Sequence, residues 1–311
     1  MSVSRKPRRA GVCLVTGFCA LLVGCGPPGA APGHPAPAVP AGPAASGRAR
    51  ALLLPYDRYE LTPADVLTIE SAEDALMVPC MRARGWTWKP LPRAADADPP
   101  NRSRYGVIEP YVAERYGYHQ PPPPPGVARR TAAEHARNAE LTQAEADAAF
   151  GRATEHPDAV DGCWKTAHDR LRRHVPASDH ALLDELTLRS FDASLENAQV
   201  RRKLALWNSC MKRSGFAYAT PLAAADDSAW GKTRRPARRE VLIATTDVRC
   251  KKSTGLVDEW RRAETAWQQD FVNRRPKAFR ALARAKEAWL HAARAALHRG
   301  RAITGRNGRA G

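Results

Sequence analysis

The sequence predicts an all-α protein built from duplicated helical units, each bridged by a disulfide, with a long C-terminal helix. Apolar residues recur at helical spacing over most of the chain, and no alternating β pattern exceeds a few residues. A second observation is a repeated motif, A-L-x-x-x-C-M-x-x-x-G-aromatic-x-aromatic, at residues 75–88 and again at residues 205–218. Agreement at so many aligned positions indicates a duplicated unit.

The composition divides the 311-residue chain into five segments. We predict a lipoprotein signal peptide at residues 1–24, a disordered Pro/Ala/Gly tether at 25–50, a first helical repeat at 51–180, a second helical repeat at 181–300, and a disordered tail at 301–311. The first repeat contains an irregular insertion rich in tyrosine and proline. The tether has almost no large apolar side chains, so burial cannot offset the entropy lost on ordering.

The N-terminus has the pattern of an export signal. Four basic residues precede an apolar segment, residues 11–24, that is too short for a comfortable membrane span. The sequence L-V-G-C at residues 22–25 resembles the lipobox of bacterial lipoproteins, and this resemblance implies that Cys25 becomes the acylated N-terminal residue. The alternatives are an ordinary signal peptide, a signal anchor, or export by the twin-arginine route.

Removal of residues 1–24 lowers the formal charge from +17 to +13, because four basic residues and no acidic ones leave. Four cysteines then remain besides Cys25. An even number of thiols in an oxidising compartment predicts a disulfide framework. We therefore expect an extracytoplasmic protein attached to the outer leaflet of the cytoplasmic membrane through the Cys25 lipid.

The four remaining cysteines permit three disulfide pairings. The duplication favours the pairing of each motif cysteine with the cysteine that follows it, which joins Cys80 to Cys163 and Cys210 to Cys250. A metal site would need close pairs such as C-x-x-C, which the sequence lacks, and a catalytic thiol would need an unpaired cysteine. The glycine after each motif is interpreted as a helix stop, and the alternate aromatic residues as a cover for the disulfide.

The first repeat opens with a helix start signal. Thr62 suits the N-cap, Pro63 the first helical position, and Asp65 the positive end of the helix dipole. The helix is predicted to continue to the motif cysteine and to end near Gly85. Pro79 lies inside this run and is expected to bend the helix or split off its last turn.

Residues 89–130 interrupt the helical pattern and end near five consecutive prolines. Their tyrosines are expected to cover the helices rather than to form a ligand platform: Tyr105, Tyr111, Tyr116 and Tyr118. A capping box at Thr142 and Glu145 then starts a helix that Gly151 ends, and Cys163 opens another.

Helical spacing continues through the second repeat. It runs from Leu182 to Met211, is interrupted by a basic polar loop at residues 231–239, and is followed by an apolar segment that starts at Val241 and reaches Cys250. From residue 251 to about residue 300 the pattern is strongly helical, and Pro276 is expected to kink or restart the helix.

Two segments together resemble uncharacterised disulfide-containing secreted lipoproteins of high-GC Gram-positive bacteria. These are the C-M-x-x-x-G-aromatic motif and the sequence I-A-T-T-D-V-R-C-K-K-S-T-G-L-V at residues 243–257. The likeness extends over roughly residues 60–275. The resemblance implies the disulfides and an extracytoplasmic location, and it implies no activity and no ligand.

The common catalytic signatures H-E-x-x-H, G-x-S-x-G and G-x-x-x-x-G-K do not occur in the sequence. Residues 209–212 fit the S-x-x-K motif of penicillin-interacting serine enzymes, but the first repeat has Pro79 and Arg82 at the equivalent positions and the companion K-T-G is absent. Three histidines at six-residue intervals do not share a helical face and are expected to be solvent-exposed: His168, His174 and His180. We therefore predict no enzymatic activity, no metal and no cofactor.

The basic charge is concentrated at the C-terminal end. Residues 249–311 contain sixteen Lys/Arg and five Asp/Glu, which accounts for +11 of the +13. This pattern predicts a long helix with one basic face that contacts anionic wall polymers or phospholipid head groups. The residues assigned to this contact are Arg261, Arg262, Arg274, Arg275, Lys277, Arg280 and Arg284. Nucleic acid is excluded by the export signal, and a solvated face that only aids solubility is the alternative.

These observations favour a non-enzymatic envelope lipoprotein whose ectodomain binds or scaffolds an anionic wall or membrane component. The alternative is a cell-wall-modifying hydrolase, or a regulator of one, with an active site too scattered in sequence to recognise.

Overall fold

The computed structural model describes residues 41–152 and 161–307. The predicted signal peptide, the lipidation site Cys25 and the first part of the predicted tether therefore lie outside the described residues. Within them the predicted all-α class is confirmed, with twelve α-helices and no strand. No described helix is both long enough and apolar enough to cross a membrane.

The helices follow one another along the chain with short connections. They are α1 Gly47–Arg50, α2 Pro63–Ala83, α3 Pro110–Tyr116, α4 Pro125–Glu140, α5 Gln143–Phe150, α6 Cys163–Arg172, α7 His180–Leu195, α8 Ala198–Arg213, α9 Pro221–Ala225, α10 Arg238–Thr254, α11 Leu256–Arg274 and α12 Pro276–Asn307. Short 3₁₀ turns precede α2 and α10.

Helix α2 begins as its start signal predicts. The Thr62 side chain accepts a hydrogen bond from the Asp65 backbone N–H, and the Asp65 carboxylate accepts one from the Thr62 N–H. Of the two effects expected of Pro79, a bend or a separated last turn, the separated turn does not occur, because α2 continues through this residue to Ala83. Proline removes one backbone hydrogen bond, whereas tight burial of Met81 and the neighbouring disulfide hold the turn in place.

Both copies of the repeated motif end their helices in the same way. Gly85 and Gly215 have φ angles of 83° and 84°, in the left-handed region that favours glycine. The aromatic residue that follows each glycine donates its backbone N–H to the carbonyl of the motif methionine, at 2.9 Å in the first copy and 3.0 Å in the second. The repeat in the sequence is therefore a repeat in backbone structure.

The two motif glycines allow a matched stability test. Gly85→Ala and Gly215→Ala are each expected to lower the free energy of unfolding by about 1 kcal/mol, because a Cβ strains a left-handed backbone. A Cβ would meet no atom within 4 Å at either position, so strain is the only cost. Denaturant unfolding measures the effect, with Gly231→Ala as a control that has equal space and no positive φ. Motif variants as stable as this control would contradict the expected backbone strain, and clearly unequal losses at the two glycines would contradict the equivalence of the copies.

Each motif helix is joined by a disulfide to a later helix, as the duplication predicts. Cys80 of α2 pairs with Cys163 at the start of α6, and Cys210 of α8 pairs with Cys250 of α10. The Cα–Cα distance is 5.7 Å in both pairs. The two disulfides indicate an oxidising, extracytoplasmic environment.

The predicted long C-terminal helix is confirmed as α12, which has 32 residues, and the helical run expected from residue 251 onward is divided before it into the end of α10 and α11. Gly255, with a φ of 67°, ends α10, and α12 restarts at Pro276 as expected. Helix α11 packs against α7 and α8 of the second repeat, whereas α12 packs against α2 and α6 of the first. All described residues belong to one compact unit.

Two segments predicted to be disordered are partly structured. The tether prediction fails for residues 41–50, because Ala45 and Ala49 are buried in the same core as Trp207 and the Ser46 N–H donates to Glu109 at 2.6 Å. Small side chains are enough to anchor this segment because they pack closely against the buried residues of the core. The tail prediction fails for residues 301–307, where α12 continues. The remaining tail residues, 308–311, lie outside the described part.

The tyrosines of the insertion divide into structural and exposed residues. Tyr105 is 1% exposed and packs beside Trp260, and Tyr118 is partly buried, as the covering role predicts. Tyr111 is exposed and does not follow that prediction. The insertion is also less irregular than expected, because α3 lies inside it and α4 begins there, each with proline in its first turn.

Candidate functional site: a basic groove

A groove of about 600 Å³ lies between α6 and α12 and reaches down to α2. We call it the basic groove. Its cationic and ionisable lining residues are Arg170, Arg173, His174, Arg284, His291 and Arg299; its apolar lining residues are Leu76, Leu171, Ala288, Ala292 and Ala295; and its single acidic residue is Glu287.

Packing against α2 fixes both walls of the basic groove. Leu171 of α6 and Leu290 of α12 are buried in one apolar cluster with Ile69 of α2. The Lys286 ammonium forms an ion pair with Asp65 at 3.1 Å, which attaches α12 to the start of α2. The cationic residues of α12 therefore lie away from its buried stripe, on the side that faces the groove.

Helix α6 is held in the same position by contacts at its middle and its end. The His168 Nδ1 atom lies 2.7 Å from a carboxylate oxygen of Glu73 on α2. The Arg172 guanidinium lies over the Trp289 ring of α12, 5.1 Å from its centroid. His168 is consequently half-buried, and its predicted exposure is wrong, whereas His174 and His180 are exposed as predicted.

The charge in the basic groove is not neutralised by neighbouring side chains. Four arginines face one carboxylate, that of Glu287. No side chain of these four arginines and two histidines forms a hydrogen bond or ion pair with another residue in the described ranges 41–152 and 161–307. All six are exposed, so a ligand can reach them without a change in the fold. Such convergence of unpaired cations favours binding of an anion.

The structure distributes the seven sequence-predicted contact residues over α11, α12 and the cap residue Arg275 between them. Arg284 lines the basic groove. Arg262 and Arg274 pair with the acidic residues Glu259 and Asp270 on their own helix. The other four show no ion pair within the described part of the chain and are exposed or, for Arg261, half-buried: Arg261, Arg275, Lys277 and Arg280. The predicted face on one long helix is therefore not a single surface.

Sequence reasoning missed most of the groove. It assigned no role to Arg170 and Arg173 and expected His174 only to be exposed. One local signal was present, since four cationic or ionisable residues cluster within five positions at the C-terminal end of α6, residues 170–174. No local pattern connects this cluster with Arg284 or Arg299, because α12 is more than one hundred residues away in the sequence.

The fold and the groove define an all-helical, disulfide-bonded protein with a basic ligand-sized groove on its surface. No family model matches this chain, and neither the curated proteins nor the solved structures include a match.

Proposed function

We propose that this protein is a lipid-anchored extracytoplasmic lipoprotein whose helical ectodomain binds an anionic component of the cell envelope in the basic groove. The observation that carries the proposal is the convergence of four unpaired arginines from two helices on one groove. The disulfides support the compartment, and the L-V-G-C sequence at residues 22–25 supports anchoring through Cys25.

The chemistry of the groove suits phosphate or carboxylate groups. Arginine presents a planar fork of donors that binds such groups in a bidentate manner, and its weak hydration lowers the cost of contact. Because these arginines are exposed, salt screens their attraction for a ligand. Binding is therefore expected to weaken steeply as ionic strength rises.

A binding or scaffolding role fits the groove better than hydrolysis. Cleavage of a glycosidic bond by the usual route uses two carboxyl groups, one as acid and one as base or nucleophile. The basic groove contains one carboxylate, that of Glu287. The proposed role accordingly involves no turnover of the bound component.

A double substitution in α6 tests the proposed function. Arg170→Gln/Arg173→Gln is expected to weaken co-sedimentation of the full chain with purified anionic wall polymer or anionic vesicles about tenfold at low salt. This loss corresponds to roughly 0.7 kcal/mol for each exposed arginine. The Arg262→Gln/Arg274→Gln protein is the matched control, because it loses the same charge on α11 outside the groove.

Two outcomes would argue against the proposal. Equal losses in the two double variants would show that net charge, and not the basic groove, attracts the envelope component. Absence of binding by the unaltered chain at low salt would remove the proposed function altogether.

A further inference from the structure

The basic groove is long compared with a single anionic group. Arg284 and Arg299 both line it, and they are fifteen positions apart on α12. At 1.5 Å per residue this separation is about 22 Å along the helix axis. One phosphate group cannot contact both arginines, so a ligand that uses the whole groove must carry several anionic groups along its length.

Cations occupy both walls of the groove. Arg170 and Arg173 belong to the α6 side, and Arg284 and Arg299 to the α12 side. A phosphodiester carries one negative charge shared by two non-bridging oxygens that point to different sides of the chain, so each wall can bind one of these oxygens. A carboxylate is planar and presents both oxygens along one edge, which suits a single wall better.

The floor of the groove is apolar and built of small side chains. Ala288, Ala292 and Ala295 follow one another at helical spacing, and Leu76 and Leu171 complete the floor. Alanines leave room for a chain to lie close to the helix backbone. Their surface suits the uncharged carbon links between successive anionic groups, whose hydroxyl groups can stay in contact with solvent because the groove is open.

We infer that the basic groove holds a linear phosphodiester polymer that lies along α12, with its phosphates bound by arginines of both walls. The inference rests on the proposed function and narrows its ligand to a wall-type polymer. It disfavours a lipid head group, because head groups form a plane, whereas these cations line a concave channel between two helices.

The test measures how affinity depends on polymer length. Full-length protein in detergent is titrated calorimetrically with synthetic poly(glycerol phosphate) of one, two, four, eight and twelve units. Affinity is expected to rise at least 100-fold from the single unit to the chain that spans about 22 Å. Further units should then add little, because they project beyond Arg299, the last arginine that lines the groove in the described part of the chain.

A variant at one end of the groove shows whether the polymer extends along α12. Arg299→Gln is expected to weaken binding of the longest chains three- to tenfold and to lower the slope of log affinity against log salt by about 0.7 to 1. Affinity for the two-unit chain, which reaches fewer arginines, should change less than twofold. Arg274→Gln is the control, because Arg274 pairs with Asp270 outside the groove.

The outcomes separate this inference from the proposed function. A single unit that binds as tightly as the long chains would overturn the inference. So would tight binding to phosphatidylglycerol vesicles without any length-dependent binding of the polymer, although binding of an anionic envelope component would then stand. Failure to bind polymers and vesicles alike at low salt would overturn both.

Discussion

Replacement of Cys80 and Cys163 together by alanine is expected to lower the free energy of unfolding by about 4 kcal/mol. The disulfide closes a loop with a sequence separation of 83 residues, which removes much of the freedom of the unfolded chain. Total stabilities of domains are about 5–15 kcal/mol, so this loss leaves little margin. Denaturant unfolding of the oxidised protein and the double variant measures it directly.

The same variant is expected to lose the basic groove before it loses the fold. Helix α6 has ten residues, and helices shorter than about 12–15 residues are marginal without tertiary support. Its first residue, Cys163, is held to α2 by the disulfide. Without that link the wall that carries Arg170 and Arg173 is free to fray, and polymer binding should fall more than tenfold under conditions where the helices persist.

Cys210→Ala/Cys250→Ala is the matched control for both effects. Its sequence separation of 40 residues predicts a comparable loss of stability, slightly smaller in the loop-entropy account. It joins α8 to α10, and neither helix lines the groove, so binding by the folded variant should be unchanged. Unaltered binding by the Cys80/Cys163 variant would show that packing alone positions α6.

Lys251→Met is the second substitution expected to have a large effect. The Lys251 ammonium donates to the Asp247 carboxylate at 2.9 Å and to the Val107 carbonyl at 2.9 Å, and both charged side chains are almost fully buried. The Asp247 carboxylate also accepts from the Trp207 indole N–H at 2.9 Å. Removal of one partner leaves a buried uncompensated charge, and we expect a loss of about 3–5 kcal/mol.

The loss in Lys251→Met should depend on pH in a definite direction. Burial raises the pKa of Asp247 above its usual range even with Lys251 present, and Lys251 opposes that rise. Without the ammonium the folded-state pKa rises further. A carboxyl whose pKa is raised by folding contributes stability below its unfolded pKa and loses it as pH climbs through the folded value. The variant should therefore be less impaired at pH 5 than at pH 8.

Two further proteins isolate the ion pair from other effects of the substitution. Lys252→Met removes the neighbouring exposed lysine and should change the free energy of unfolding by less than about 0.5 kcal/mol. Asp247→Asn/Lys251→Met keeps an acceptor for Trp207 without a buried charge, and it should recover more than half of the loss. Equal denaturant midpoints of unfolding for Lys251→Met and Lys252→Met would contradict a stabilising role for the ion pair of Lys251 and Asp247.

Helix ends could be predicted from the sequence because they depend on residues a few positions apart. The disulfide pairs could be predicted because the motif that carries one cysteine of each pair occurs twice. The capping of α2 by Thr62 and Asp65 depends on residues three positions apart, and the stop at Gly85 depends on one backbone conformation. The pairing of Cys80 and Cys210 with later cysteines followed from the repeat. The division of the C-terminal region into separate helices was predicted only in part. Pro276 indicated the break before α12, whereas the end of α10 at Gly255 was not predicted.

The basic groove depends on long-range packing, which local patterns do not encode. The composition predicted an excess of positive charge. Which basic side chains line the same groove, however, depends on where α12 packs. It crosses from the second repeat to α2 because its apolar face buries against that helix, and only this contact brings Arg284 and Arg299 opposite Arg170 and Arg173. Helical class, caps and disulfides thus follow from short-range chemistry and duplication, whereas the site follows from burial of apolar surface between distant segments.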